Sequence, residues 1–525
     1  MLVLAQKCKV SPEHEQNTCC KWLAFIYGLS LSNHWPLILL STPALMILLW
    51  PVRKRMVNGI FTYLPFLLAG LLPYAWMIWR SHVVPEVSFY GPINTWQEFW
   101  FYVSRRIYAT VDHSQTAGLV DKLQYAGFTL GQTIDQFGLF GVWFAVAGLF
   151  WLWTERRLTL LLFTVVAYIC NSFLLILLLG IDFDYFHRAT FMVYPLIAYS
   201  MVAIWMACGI KYALVLVEKI KSRTFTIRYS VVALVVLVLG STLIANIPRN
   251  FRKHDFLASD YAGVVLNSLE PNAIFYSNAD NFDGPIGYLN RIEKVRPDVT
   301  VFTGRYLIAD NRLYRPYQLH VHELDKLVNH VIQSTDRPIY YTNDFPNKYA
   351  RDRYGLYTKV NKYRNATDAD RIILAPGFID LFRRWGQKQI LVNTWDVMHY
   401  NLLMSDYCDL LLTAEYSNNG NTNITALTGA TDFACDNYQG VLNRLKFSLQ
   451  DPATTPAVLE RLLNKAQAYR DQAFTKEELS RLDYNFGLYY LRRGDKHQAQ
   501  TSFTASFTAW PHPDNPSKAM FPRIQ

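Results

Sequence analysis

The sequence predicts a multi-pass α-helical membrane domain of about six to seven spans, a soluble α/β domain after it, and a C-terminal helical hairpin. Three observations carry this. Long apolar runs fill residues 22–247, whereas 249–525 hold no uncharged apolar stretch long enough to cross a bilayer. Short buried-type strands alternate with helical stretches from Ala273 onward, the pattern of an α/β unit. The mean hydropathy of +0.06 is then an average over two unlike halves. The expected division is a short polar N-terminus at 1–21, a transmembrane domain at 22–248, an extracytoplasmic α/β domain at 249–435 and a helical region at 436–525.

A bilayer core of about 30 Å takes roughly 20 apolar residues as helix. Trp22–Trp50 is too long for one simple span and is interrupted by Gly28, Asn33, His34 and Pro36, so it reads as two short or broken helices. Gly59–Trp79, Phe137–Trp153, Leu158–Leu179, Ala189–Ile210 and Tyr229–Ile247 read as the remaining spans, with Ser81–Gln136 as a loop. Basic residues set the orientation. Arg53, Lys54 and Arg55, then Arg156 and Arg157, then Lys211, Lys219, Lys221, Arg223 and Arg228 all fall in loops that alternate consistently when placed in the cytoplasm. Ser81–Gln136, Ile181–Arg188 and everything after Pro248 are then outside. The expected location is a plasma or inner membrane, with the C-terminal domain extracytoplasmic. Met1–Lys21 lacks the apolar core of a cleavable signal, so the first span is expected to direct insertion.

Composition narrows the function. With 51% hydrophobic, 15% aromatic and only 18% charged residues, disorder is excluded. The net charge of +10 is accounted for in large part by cytoplasmic loop ends. No basic face or motif accompanies it, so nucleic acid is not an expected partner. The seven cysteines form no metal pattern. Cys408 and Cys435 are the pair in the soluble half, and an oxidising compartment would permit a bridge. No metal and no cofactor is expected; in particular no Gly-rich phosphate fingerprint follows the strands, which disfavours a bound dinucleotide.

The segment Trp96–Ile107 carries Trp96, Phe99, Trp100, Val103 and Ile107 at helical spacing. A helix lying in the membrane interface and a helix packed on other spans both satisfy that stripe. Arg80, Arg105 and Arg106 border it, and guanidinium forks suit phosphate as well as ordinary headgroup anchoring. In Asp182–Arg188 two carboxylates and His187 could bind a divalent ion or act as a base, but a two-residue spacing is common by chance and a polar turn between two spans, with Arg188 facing headgroups, is the preferred reading. Strands are expected at Ala273–Ser277, Val299–Thr303 and Pro338–Thr342, with helices near Gly284–Ile292 and Glu323–Ser334 and parallel pairing. Asp280 and Asp283 follow the first strand, as ligand residues or as turn and cap residues. Phe486, Gly487, Tyr490, Gly494, Ala499, Phe503 and Pro511 fall at tetratricopeptide offsets, and the resulting hairpin is expected to stack on a helix near Pro456–Tyr469. Asn365 and Asn423 head glycosylation triplets.

The run Phe25-Ile26-Tyr27-Gly28-Leu29-Ser30-Leu31-Ser32-Asn33-His34, then Pro43-Ala44-Leu45, Leu72-Pro73-Tyr74 with Arg80, and Arg105-Arg106-Ile107-Tyr108, resembles a distinct membrane family. The resemblance continues through Ala273–Asp280 and Gly287–Val299, and covers about Lys21 to Arg305. That family lies in the GT-C glycosyltransferase superfamily and includes a transmembrane protein O-mannosyltransferase; bacterial members carry terminal tetratricopeptide repeats. The resemblance implies transfer of a sugar from a polyprenyl-phosphate donor to an extracytoplasmic acceptor, a protein among them. It also implies a catalytic carboxylate in a first external loop ahead of Lys21. Met1–Cys20 hold no such loop, so the resemblance predicts the later portion of the fold and an enzyme incomplete or inactive alone. No catalytic residue carries over; Asn33, His34, Arg80, Arg105 and Arg106 match motif positions and are the expected substrate-binding residues. The competing expectation is a non-catalytic membrane-anchored scaffold that shows its α/β and tetratricopeptide-like parts to envelope partners.

Overall fold

The structure, a computed structural model, describes residues 4–5, 7–8, 12–83, 92–106, 114, 116–219, 225–250, 253, 255–277, 280–303, 321–342, 348–364, 370–373, 377–378, 380–381, 384, 394–416 and 435–524. They form two compact units. One comprises Met1–Trp79, Asp112–Phe183 and His187–Phe251; the other comprises Arg80–Val111, Asp184–Phe186 and Arg252–Gln525. Asn365 and Asn423 lie outside the described residues, as does Ile107 at the end of the aromatic stripe.

The first unit is helical. Helix α1 (Glu13–Leu49) departs from helical geometry at His34, with φ −149° and ψ 77°. Pro36 is the cause: it has no N–H for the carbonyl four residues back, and its ring crowds that turn. The break expected in Trp22–Trp50 falls here, where two helical segments meet at His34. Helices α2 (Ile60–Gly70) and α3 (Leu72–Val83) follow, and Pro73 stands in the opening turn of α3, where a missing N–H leaves no intrahelical bond unmade.

The loop expected over Ser81–Gln136 is corrected in its later part. Helix α4 (Leu119–Thr154) begins well before Phe137 and continues through it, broken only at Gly138 with φ +68°. Its front half carries polar residues that hid it, but those residues bond along the helix. Thr129 donates to the Tyr125 carbonyl and Thr133 to that of Thr129, each at 2.9 Å. Helices α5 (Leu158–Ile169), α6 (Leu196–Lys219) and α7 (Phe225–Asn250) complete the unit, with a π turn at Cys170–Leu174 and a further turn at Leu175–Leu178 after α5.

Among the described residues five helical stretches are long and apolar enough to cross a membrane: Glu15–Asn58, Ile60–Val83, Leu119–Thr154, Leu158–Leu178 and Leu196–Leu216. Val235–Ile244 is a shorter apolar one. Glycines set two of the crossings. A Cβ on Gly28 would lie 2.2 Å from the Leu67 carbonyl oxygen, and one on Gly148 1.8 Å from that of Trp205. Backbones meet where the side chain is a hydrogen, as expected of helices that associate by close packing.

The second unit holds a six-stranded mixed sheet of order β2-β1-β3-β5-β4-β6. Strands β1 (Ile274–Ser277), β2 (Thr300–Thr303) and β3 (Ile339–Tyr341) pair in parallel, with Phe275 opposite Val301 and Tyr340. β4 (Ala350–Arg353) and β5 (Thr358–Asn361) are antiparallel around Gly355, and β6 (Arg371–Ile372) joins β4 in parallel. Both faces are covered. Phe275 and Tyr340 meet Tyr261 and Phe282 of helices α8 (Leu257–Ser268) and α9 (Asp280–Arg291), whereas Ile274, Tyr276 and Ile339 meet Val328 and Ile332 of α10 (Val321–Gln333). Successive strand residues alternate faces, so every residue of β1 is buried.

Helix α11 (Thr394–Tyr416) packs on the first of these cores, and a disulfide joins its Cys408 to Cys435. Four helices follow: α12 (Tyr438–Gln450), α13 (Pro456–Ala468), α14 (Lys476–Arg492) and α15 (Lys496–Ala509). α12, α13 and α14 share a core of Leu445, Leu459, Leu463 and Leu482. At the α14–α15 hairpin the Gly487 position abuts the Phe503 ring, and a Cβ there would come within 2.5 Å of it. Ala499 and Phe503 are fully buried, and Gly494 turns the chain at φ +79°.

Candidate functional site

Two of the five expected substrate-binding residues, Asn33 and His34, sit at the kink of α1. His34 is the non-helical residue itself, with Nδ1 buried, and Asn33 beside it is exposed. The kink frees backbone carbonyls, and one is satisfied from a neighbouring motif: the Tyr74 hydroxyl donates to the Leu31 carbonyl at 3.0 Å. The two motifs that the sequence resemblance singled out, around Asn33–His34 and around Leu72–Tyr74, therefore meet. Tyr74 serves here as a plug for a broken helix, a role sequence reasoning did not assign.

Arg80, Arg105 and Arg106 belong to the other unit, whose boundary falls within α3 between Trp79 and Arg80. Arg80 stands in the last turn of α3, where a cation suits the negative end of the helix dipole. It is half-buried, and its Nη1 is a buried donor without a hydrogen-bond partner among the described residues. Buried guanidinium donors are costly to leave unpaired, so this atom is poised for an acceptor. The chain beyond is fixed by short-range bonds. The buried Ser81 hydroxyl accepts from the Ile93 N–H at 3.1 Å. Thr95 and Glu98 then form a reciprocal capping box on the helix Trp96–Val103, with Thr95 Oγ1 3.1 Å from the Glu98 N–H.

That helix buries Glu98, Phe99 and Tyr102 and exposes Trp96 and Trp100. Arg105 ends it in the left-handed region at φ +61°, which costs a non-glycine residue about 1 kcal/mol. Arg106 follows, exposed. The three arginines are thus on one stretch of one unit, while Asn33 and His34 are in the other.

The acidic turn, where a metal or base site competed with a plain polar turn, is tied into local structure. Asp182 Oδ2 accepts from the Thr116 hydroxyl at 2.7 Å, its N–H donates to Ser114, and its carbonyl accepts from the Tyr125 hydroxyl at 2.7 Å. Asp121, missed in the sequence, is buried and accepts from the N–H groups of Phe183 and Gly118, both at 2.8 Å. Asp184 lies in the second unit, where its neighbour Phe186 donates an N–H to the Phe474 carbonyl at 2.9 Å. Arg188 stacks over Phe183 at 5.1 Å. Among the described residues no group of three or more His, Cys, Asp or Glu is placed to hold a metal ion.

Motif residues of the unit that holds the sheet are architectural as well. Arg296 donates to the carbonyls of Leu266, Leu269 and Glu270, at 2.9, 2.9 and 3.0 Å, and so caps the end of α8. Asp298 holds Arg296 from the other side at 2.9 Å and accepts the Asn272 N–H. The Arg296 guanidinium and that backbone N–H keep the Asp298 carboxyl far below the usual carboxylate range. Asn290 donates to the Arg296 carbonyl at 2.8 Å, which folds the turn between α9 and β2.

An apolar cavity of about 410 Å³ lies between α1 and α2, lined by residues such as Leu23, Tyr27, Leu45, Met56, Leu64 and Leu67.

Helices of membrane-spanning length and composition define a membrane protein. The chain is similar to the protein O-mannosyl-transferase tmem260 of Dictyostelium discoideum, 23% identical over 368 residues, covering 61% of this chain and 44% of that protein. It therefore spans less than half the length of the curated relative it matches. No family model matches the chain, and no solved structure matches it significantly.

Proposed function

We propose that the chain is a membrane glycosyltransferase-like protein of the GT-C kind, taking a sugar from a polyprenyl-phosphate donor to an extracytoplasmic acceptor. The observation that carries this is its similarity to an O-mannosyl-transferase over more than half its length. Two features support the donor class. The buried, unpaired Nη1 of Arg80 suits a phosphate oxygen, with Arg105 and Arg106 on the same stretch of chain. The apolar cavity between α1 and α2 suits an isoprenoid chain. Asn33 and His34 remain proposed contacts for the sugar or phosphate, and no residue is assigned as the catalytic base. Division near residue 248 and an extracytoplasmic C-terminal part belong to the same proposal. They are supported by the basic clusters and by the Cys408–Cys435 disulfide, which suits an oxidising compartment.

The test is binding of a radiolabelled polyprenyl-phosphate mannose to the purified chain in nanodiscs, with the phosphate-free polyprenol as control. Arg80→Ala with Arg105→Ala is expected to weaken binding by roughly tenfold or more. Unchanged binding by that double variant would refute the assignment of the arginines.

A second reading, a membrane-anchored scaffold whose tetratricopeptide-like helices meet envelope partners, is favoured by the polar groove between α12 and α14. Capture of the same partners by the full chain with and without added polyprenyl-phosphate sugar separates the two.

A further inference from the structure

Five of the seven cysteines are free thiols, and three of those five meet in the helical unit. Cys19 and Cys20 are successive residues near the start of α1, and Cys8 comes from the segment ahead of it. The Cys8 thiol is close enough to share hydrogen bonds with both. Cys8 and Cys20 are fully buried, in one core cluster with Leu23 and Tyr63, whereas Cys19 is half-buried. No thiol acts on Cys170 or Cys208, which stand in apolar helices as small packing residues.

Sulfurs in contact differ from sulfurs apart because they can bond, and helix geometry decides which pair does so. Successive helical residues point about 100° apart, and their Cα atoms are about 3.8 Å apart, short of the roughly 4.4–6.8 Å that disulfides span. Cys19 and Cys20 therefore do not bridge each other within α1, and Cys8 is the partner that either one must use. Cys19 is the sulfur that a water-borne oxidant reaches, since it follows the polar run His14–Thr18 and precedes Lys21. An accessible thiol with a second thiol against it is the arrangement that oxidises reversibly.

We propose that Cys8, Cys19 and Cys20 form a reversible oxidation site for hydrogen peroxide, with Cys19 as the entry point and Cys8 as the resolving thiol. The Cys19 sulfur attacks one peroxide oxygen, the O–O bond breaks, and sulfenic acid and one water result. The Cys8 sulfur then attacks the Cys19 sulfur, the S–O bond breaks, and the hydroxide leaves with the Cys8 proton as a second water. Two thiols are oxidised to a disulfide and one peroxide is reduced. Cys20 can exchange with the new bridge, taking Cys8 and releasing Cys19. Arg55 donates to the Gln16 side chain, so this end of α1 lies beside the basic cluster Arg53–Arg55. On the cytoplasmic side read from that cluster, glutathione keeps the site reduced between pulses of oxidant. The chemistry is independent of the proposed glycosyl transfer.

The test treats the full chain in nanodiscs with dilute hydrogen peroxide, quenches it, and counts thiols after denaturation without reductant. The count is expected to fall from five to three and to return to five with a dithiol limited to the native state. Peptide mapping should find Cys8 joined to Cys19 or, after exchange, to Cys20. Cys19→Ser should slow the loss of thiols by roughly tenfold or more, because the remaining pair is buried. Cys8→Ser should form no bridge and should instead give a dimedone adduct at Cys19, while Cys208→Ser should still lose two thiols. Retention of five thiols while free cysteine in the same solution is consumed, a bridge that omits Cys8, or an unchanged rate in Cys19→Ser would each overturn the proposal.

Discussion

Gly70→Ala tests the packing on which the membrane unit rests. The added Cβ would lie 2.2 Å from the Phe25 carbonyl oxygen, 2.6 Å from the Leu29 nitrogen and 2.9 Å from the Gly28 carbonyl carbon. Ordinary contact begins at 3.4 Å, so the helices must separate by about 1.2 Å, the difference between 3.4 and 2.2. All three neighbours are backbone atoms, and no side chain can swing aside. Overpacking of this kind costs about 1–3 kcal/mol. The Tyr74–Leu31 hydrogen bond, 3.0 Å long, sits one turn beyond Gly70 and would stretch as α1 and α2 part, adding about 1 kcal/mol. The expected loss is roughly 2–4 kcal/mol. Unfolding by SDS titration measures it, with Gly240→Ala as control, since nothing lies within 4 Å of a Cβ there. The control should be neutral or slightly stabilising, as alanine is the better helix former. A Gly70→Ala protein as stable as the Gly240→Ala protein would refute the close crossing and the cavity that α1 and α2 enclose.

Three further outcomes follow from the second unit. Thiol labelling of the denatured, unreduced chain should count five reactive cysteines, rising to seven with reductant, and Cys435→Ser should cost roughly 3–4 kcal/mol for a crosslink over 27 residues; seven thiols without reductant would rule the bridge out. Asp483→Asn should destabilise the helical region by roughly 1–3 kcal/mol, because Asp483 is buried against Arg470 while that arginine keeps some contact with water; chemical unfolding monitored at α14 reads this. For Asp298 the folded pKa is depressed, so its stabilisation is complete above the unfolded value near pH 4 and fades as pH falls through the folded one. Asp298→Asn should therefore melt below wild type at pH 7 and converge with it toward pH 2, and a constant gap across that range would contradict the Arg296 pairing.

The parts legible in the sequence were those whose periodicity is strong and whose partners are near in the chain. β1, β2 and β3 are apolar on both faces, because α8 and α9 cover one side and α10 the other, and such strands stand out as short apolar runs. The hairpin of α14 and α15 was legible from Gly487, Ala499 and Phe503: Gly487 abuts the Phe503 ring, and Ala499 and Phe503 are fully buried. β4 and β5 were not. Their sequences, Ala350–Arg353 and Thr358–Asn361, are half charged or polar and carry no clean alternation, since Asp352 is buried only by bonds to Asn361 and Arg364. The front half of α4 was hidden in the same way: Thr129 and Thr133 read as loop polarity, yet each hydroxyl is satisfied four residues back.

The candidate site shows why a motif match locates a protein more readily than its chemistry. Gly28, Tyr74, Arg296 and Asp298 all fall in runs that carry the family resemblance, and each has a complete architectural duty: a helix crossing, a plug for a broken turn, a helix cap and the partner of that cap. A residue fully occupied in holding the fold has no bond left to offer a substrate. Arg80 differs, since one of its buried donors meets no acceptor in the described structure. Unspent hydrogen-bonding capacity, rather than membership of a recognisable run, is the ground on which Arg80 is proposed as a substrate contact, and only the folded chain reveals it.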